Sequence, residues 1–376
     1  MRIGILTMHK VLNSGSALQA YALQRKLSDM GYENEIIDYQ YPFKSHSFPS
    51  LKSLPSALIA FFRNAVFGFP VNRMKHKFKV FYRHTFILTK KRYDKKSIVD
   101  NPPLYDLYLT GSDQVWNPRF IGDDVNFMLA FTDDKALRMS YASSIAASTI
   151  EDGTKEVYSR YLSRYDAISV REQSGVGIVQ ELTGKDAAVC CDPTLLLPKD
   201  TWGQLASQSK FKIRSKYILV YALSYMFDPY PEIYRIVESV QKTLGHKVVY
   251  LQGRAPDVFR PGSTLIKSAG PADFAYLFKN AELVITTSFH GATFALINDK
   301  PLIGVVDSRS SNDSRIQSLL EAVSARDSIY DYRDNVVLGT PELLNLRGDR
   351  KLLDKFVNSS CSYLKDNLER LERISR

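Results

Sequence analysis

The chain has 376 residues, more than one hydrophobic core usually supports, and its 44% hydrophobic and 24% charged content fits a globular protein of two domains. Three cysteines, two of them adjacent at Cys190 and Cys191, exclude a disulfide framework and lack the spacing and neighbouring histidines of a zinc site, so no metal is expected. The net charge of +10 is concentrated: residues 43–96 hold thirteen Lys and Arg against one acid, Asp94, which leaves −2 for the rest.

In chain order, residues 2–8 read as a buried strand with no charged-then-apolar leader before it, and the expected home is a reducing cytoplasm. The loop 9–15 leads into a helix whose Leu18, Ala22, Leu23, Leu27 and Met30 share one face, and Gly31 stops it. Residues 33–39 (ENEIIDY) are the next strand, completing a βαβ unit.

The basic segment also carries eleven Phe and Tyr, and its apolar run at 54–69 is shorter than the roughly 20 residues that span a bilayer. Two readings stay open. A helix in the interface of an anionic membrane beside a polybasic stretch is one; a helical insertion packed on the protein's own surface, with solvated lysines, is the other. No nucleic-acid motif accompanies the segment, and nucleic acid is not an expected partner.

Apolar strands follow at 107–110, 139–143, 167–170 and 187–191, suited to a mostly parallel sheet. A polar run over 193–216 reads as a boundary. Beyond it, strands at 217–223, 247–252, 283–287 and 302–306 alternate with helical patterns at 230–244, 272–280 and 291–298. The predicted architecture is α/β: two doubly wound, Rossmann-like domains facing across a cleft. They cover residues 1–195, with an insertion at 43–104, and 196–349. A charged amphipathic helix at 350–376 is placed to cross back to the first domain.

Ligands bind doubly wound sheets at the carboxyl ends of the strands, so residues there are the candidates. His290 ends the run LVITT at 283–287 and stands at the opening of a helix, where an anion is favoured and an imidazole is suited to hand over a proton. Ser288 precedes it, and Gly291 is expected to let a ligand approach the backbone. Asp113, after the strand 107–110, is a candidate base or sugar ligand. Arg171, after 167–170, is placed to fork a carboxylate or phosphate. The first loop lacks GxGxxG and GxxxxGK[ST], so no nucleotide cofactor is expected. Asp192-Pro193 reads as a strand exit.

The blocks ILTMHKVLNSGSALQAYALQRKL (5–27), LTGSDQVWNP (109–118), SYASSIAAS (140–148), SVREQSG (169–175), CDPTLLL (191–197) and ITTSFHGATFALINDKPLIGV (285–305) together resemble the polysaccharide pyruvyl transferase family. The resemblance implies a fold like the B-type glycosyltransferases and transfer of pyruvate from phosphoenolpyruvate to a saccharide as a cyclic ketal, in cell-surface or exopolysaccharide biosynthesis. The saccharide is either free or lipid-linked, and the protein either free in the cytoplasm or peripheral on the inner face of the membrane.

On this reading His290 is the acid and Asp113 the base. Arg171, Ser288 and Gly291 bind the donor, and Asn13, Gly15, Gln114 and Glu172 meet the acceptor. Many members carry an arginine where this chain has Ser288; Arg309 and Arg315 are the candidates to replace it. Two other readings remain: a B-type glycosyltransferase using a nucleotide sugar, and a non-catalytic membrane-surface adaptor.

Overall fold

The structure is a computed structural model that describes residues 1–40, 57–254, 263–309 and 315–375, with the backbone path alone over 57–69. Residues 43–56 of the predicted insertion, and 310–314 ahead of Arg315, lie outside the described residues.

The first half runs β1 (Arg2–Leu6), α1 (Ser14–Asp29), β2 (Glu33–Ile36), α2 (Ala57–Thr85), α3 (Ser97–Asp100), β3 (Leu107–Thr110), α4 (Pro118–Ile121), β4 (Leu137–Ser140), α5 (Asp152–Leu162), β5 (Ser169–Val170), α6 (Gln173–Thr183) and β6 (Ala188–Val189). Its sheet is parallel in the order β2-β1-β3-β4. Backbone bridges from Met139 to Ala167 and from Ser143 to Val170 carry the β5-β6 pair on the far side. Where strands are buried on both faces, as over Ile3–Leu6 of β1 and Leu107–Leu109 of β3, they read as near-continuous apolar runs because helices cover each side.

The second half runs α7 (Lys199–Ser207), β7 (Tyr217–Tyr221), α8 (Ile233–Leu244), β8 (Lys247–Leu251), β9 (Ser263–Ile266), α9 (Pro271–Asn280), β10 (Leu283–Thr286), α10 (Phe289–Ile297), β11 (Leu302–Val306), α11 (Arg315–Ala322), β12 (Ile329–Asp331), α12 (Thr340–Asn345) and α13 (Arg350–Ser375). Its sheet, also parallel, has the order β12-β11-β10-β7-β8-β9. Strand order therefore reverses between β7 and β10, as it does between β1 and β3 in the first sheet. These reversals open the crevices in which doubly wound sheets hold ligands.

One apolar core runs under both sheets. Leu18 and Leu23 of α1 belong to the same buried cluster as Trp202, Phe274 and Phe294, and Trp202 meets Tyr21 on one side and Phe294 on the other, with ring centroids 6.2 and 5.2 Å apart. Helix α13 returns to the first sheet: the Ser360 hydroxyl accepts from Cys191 N at 2.9 Å, and Arg370 donates to Asp166 O at 2.9 Å.

The described part of the insertion turns its aromatic side inward. Phe78, Phe81, Phe86 and Tyr93 are buried, and residues 88 and 93 bridge to Ile36 and Tyr39 at the edge of β2. From the same helix Lys77 reaches the second domain, pairing with Asp273 at 2.7 Å. Among the described residues no helix is long and apolar enough to cross a membrane.

Candidate functional site

Helix α10 is buried along its whole length and starts two residues earlier than its sequence suggests. β10 ends at Thr286, Ser288 is the N-cap, and His290 lies inside the first turn. The ring is almost enclosed, with 8% of the side chain exposed, and its Nε2 makes no hydrogen bond. That nitrogen lies 3.4 Å from Asp192 Oδ2.

Asp192 comes from the other domain, just past β6, where Pro193 opens a 3-10 turn. Its Oδ1 accepts from the backbone N and the hydroxyl of Thr194, at 3.0 and 2.7 Å. Its Oδ2 accepts from Arg171 Nη1 at 3.2 Å. Burial alone would push this carboxyl up, but the His290 ring, the Arg171 guanidinium and the Thr194 amide more than reverse that and hold it well below the usual carboxylate range. Asp192 is therefore no mere strand exit: it is the fully buried link between His290 and Arg171.

Arg171 also has no exposed side-chain surface. Its guanidinium stacks on the Phe289 ring 4.3 Å from the centroid, and Nη2 lies 3.8 Å from Asp113 Oδ1. The Nε and Nη2 groups make no hydrogen bond. They form one edge of the planar fork, the edge that matches a carboxylate or phosphate. Asp113 holds a left-handed backbone, φ 76°, which a non-glycine residue adopts at some cost. Its Oδ1 accepts from Gln114 N at 2.9 Å, and its Oδ2 is buried without a hydrogen-bond partner.

The N-terminus of α1 closes the site from the first domain. Asn13 caps the helix, its Oδ1 accepting from Gly15 N at 2.8 Å and Ser16 N at 3.3 Å. Gly15 packs directly on the His290 ring. From the loop after β7, the Tyr225 hydroxyl faces the Asn13 side chain. His290, Arg171, Asp113, Asn13 and Gly15 thus converge on the two facing crevices.

Two expectations need correction, those for Gly291 and Glu172. Gly291 does not open the backbone to a ligand, because Thr286 and Tyr221 fill the space a side chain would take; glycine there serves helix-on-strand packing. Glu172 does not face the cleft: it is fully buried, and its Oε1 accepts from Ser144 Oγ, Ile145 N and Ala146 N at 3.1, 2.8 and 2.9 Å. The Ser288 hydroxyl is engaged as the cap of α10, accepting from Gly291 N at 3.4 Å. Gln114 Oε1 is engaged by Asn117 Nδ2 at 2.7 Å. Arg309 is exposed in the turn after β11, whereas Arg315 is buried at the start of α11.

A family model described as polysaccharide pyruvyl transferase matches residues 13–309, a span that includes all of these residues except Arg315. No curated protein matches the chain's sequence. Among solved structures it is similar to a UDP-N-acetylglucosamine 2-epimerase from Rickettsia bellii (TM-score 0.58, 9% identity, covering 100% of this chain and 98% of that one). Similar too is the UDP-GlcNAc 2-epimerase of Neisseria meningitidis bound to UDP-GlcNAc (0.53, 12%, 98% and 100%). The Methanocaldococcus jannaschii UDP-GlcNAc 2-epimerase in complex with UDP-GlcNAc and UDP gives 0.53 at 13% identity, covering 96% and 99%. At these identities the likeness is one of fold, and the fold is that of the B-type glycosyltransferases, two Rossmann-like domains facing across a cleft.

Proposed function

The chain belongs to the polysaccharide pyruvyl transferase family, and on that premise we propose that it moves pyruvate from phosphoenolpyruvate to a saccharide as a cyclic ketal, with His290 as the acid. The observation that carries this reading is the buried His290–Asp192–Arg171 group, which leaves His290 Nε2 and the Nε/Nη2 edge of Arg171 without hydrogen bonds. Buried donors left open at strand ends are suited to an incoming anion.

In the proposed reaction the carboxylate or phosphate of the donor takes the open edge of Arg171. His290 delivers a proton to the methylene carbon, and positive charge develops on the carbon bearing the phosphate. A sugar hydroxyl attacks that carbon and gives its proton to Asp113 Oδ2. The phosphate leaves with its bridging oxygen; a second hydroxyl closes the ketal and loses its proton. One phosphoenolpyruvate and one diol thus become one ketal and one inorganic phosphate. Each acid or base step is typically worth about 10²- to 10⁴-fold.

Asp192 keeps the His290 ring in place: its Oδ2 faces the ring nitrogen at 3.4 Å while it pairs with Arg171 at 3.2 Å, and Asp113 lies 3.8 Å from the same guanidinium. With Ser288 committed to capping, Arg309 is the candidate for the remaining donor cation, since β11 lies next to β10.

The basicity of residues 43–96 supports a peripheral position on an anionic membrane. With Phe78, Phe81 and Phe86 turned inward, that contact falls to the lysines and to residues 43–69.

The test is to incubate the purified protein with phosphoenolpyruvate and candidate saccharides and follow inorganic phosphate. Release of a nucleotide from a nucleotide sugar, with none of phosphate from phosphoenolpyruvate, would replace this reading by the glycosyltransferase one.

A further inference from the structure

The loop between β1 and α1 has a second side, away from His290. There it borders a cavity of about 300 Å³ at the carboxyl ends of β1 and β2, lined by His9, Lys10, Asp38, Gln40 and Arg92 among others. A groove of about 340 Å³ shares Lys10 and Leu12 with that cavity and continues along α2, past Lys75, Lys79 and Arg83. These three cations recur at every fourth residue, which stacks them on one helix face where they repel each other. Lys75, Lys79, Arg83 and Arg92 are exposed and make no ion pair among the described residues. Beside them Leu12, Phe78, Tyr82 and Leu88 give the groove an apolar floor.

The walls are fixed. Asp38 accepts from Lys10 Nζ at 2.6 Å and faces His9 Nε2 at 3.2 Å. The Tyr82 hydroxyl donates to Val11 O at 2.7 Å and so fastens α2 to the loop. The groove is also near the acid: Leu12 is three residues from Gly15, at most about 11 Å of chain, and Gly15 touches the His290 ring. An acceptor seated at His290 and longer than one sugar can therefore reach the Leu12 end of the groove.

We propose that this groove is a phosphate-binding subsite, and that the acceptor is a glycosyl diphosphate whose phosphates are held by Lys10, Lys75, Lys79, Arg83 and Arg92. The subsite rests on the transferase reading for its purpose, not for its binding. A nucleoside or a prenyl chain can carry such a diphosphate, and the apolar floor suits the second.

Calorimetric titration of the full chain with inorganic pyrophosphate tests the subsite. Binding is expected, weakened at least tenfold in Lys79→Glu/Arg83→Glu and unchanged in Lys351→Glu/Lys355→Glu, an equal charge reversal on the exposed side of α13. Saturating phosphoenolpyruvate is expected not to displace it. Farnesyl diphosphate binding more tightly than uridine diphosphate would assign the lipid carrier, and the reverse order the nucleoside. The subsite is refuted if wild-type protein does not bind pyrophosphate, if both double variants weaken it alike, or if phosphoenolpyruvate competes. Pyrophosphate binding that obeys these rules in a protein that never releases phosphate from phosphoenolpyruvate would keep the subsite and reject the pyruvyl donor alone.

Discussion

Gly15 and His290 are in contact across the cleft, and a β-carbon on Gly15 would collide with Cγ and Nδ1 of the imidazole. One residue begins a helix of the first domain and the other a helix of the second. The acid of the proposed reaction is thus held by a partner that has no side chain to move aside. Gly15→Ala should therefore disturb the histidine while keeping the helix, since alanine is the better helix former. Overpacking of this kind costs about 1–3 kcal/mol. The expected outcome is a folded protein with turnover reduced by about a hundredfold, read by phosphate release and thermal melting. Wild-type turnover in Gly15→Ala would separate the contact from catalysis.

Asp192 and Arg171 form a buried pair, and breaking one side leaves the other charge stranded. Asp192→Asn should lose about 3–5 kcal/mol of stability, besides turnover. Adding Arg171→Met to that variant should recover part of the loss, because no lone guanidinium then remains. Denaturant unfolding of the two variants decides it; equal midpoints would mean that the pair does not couple.

The apolar runs that became β1, β3, β7, β10 and β11 were plain in the sequence, because strands covered on both faces need no alternation. Edge strands β9 and β12, short and only partly buried, carry no such signal. His290 and Arg171 were legible from their places at strand ends. Asp192 was not: an Asp-Pro pair after a strand usually marks only a turn, and its link to Arg171 and His290 exists only after three separate segments meet. Glu172 was misread for a local reason. Neighbouring side chains of an extended strand point to opposite faces, so with Arg171 in the cleft, Glu172 turns to the loop at 144–146.

Arg171→Lys keeps the charge and loses the fork. The Michaelis constant for phosphoenolpyruvate should rise at least tenfold, since an ammonium cannot offer two parallel hydrogen bonds. Steady-state kinetics at saturating acceptor measure it, and an unchanged constant would leave Arg171 a purely structural role.

Asp38 gives a pH signature independent of the reaction. Burial alone would raise its carboxyl, but His9 and Lys10 bring it down to about 2. A depressed carboxyl stabilises the fold above its unfolded value of roughly 4 and loses that contribution as pH falls through the folded value. Asp38→Asn should thus be about 2 kcal/mol less stable than wild type at pH 7, with the gap closing between pH 4 and pH 2. Urea unfolding at several pH values checks it, and a gap that ignores pH would contradict the ion-pair account.

Membrane contact through residues 43–96 should depend on charge, since cations near an anionic surface contribute about 1 kcal/mol each and are screened within a Debye length of roughly 8–10 Å. In flotation the protein is expected to rise with anionic liposomes at low salt and stay behind with neutral ones. Equal recovery with both lipids, or with neither, would leave the segment to packing on the protein itself.

Helix α13 bears on how the molecule is made and how its halves stay together. Its Glu372 pairs with the amino group of Met1 at 3.5 Å, and its Tyr363 hydroxyl donates to Ser140 O. The first sheet therefore receives its last brace only after residue 372 has left the ribosome, so the half synthesised first is the half completed last. The chain also crosses between the halves twice, once after β6 and again ahead of α13. With these two crossings, the apolar core shared by α1, Trp202 and Phe294, and the Lys77–Asp273 pair, the halves are tied at several separate places, so parting Gly15 from His290 has to strain all of them at once.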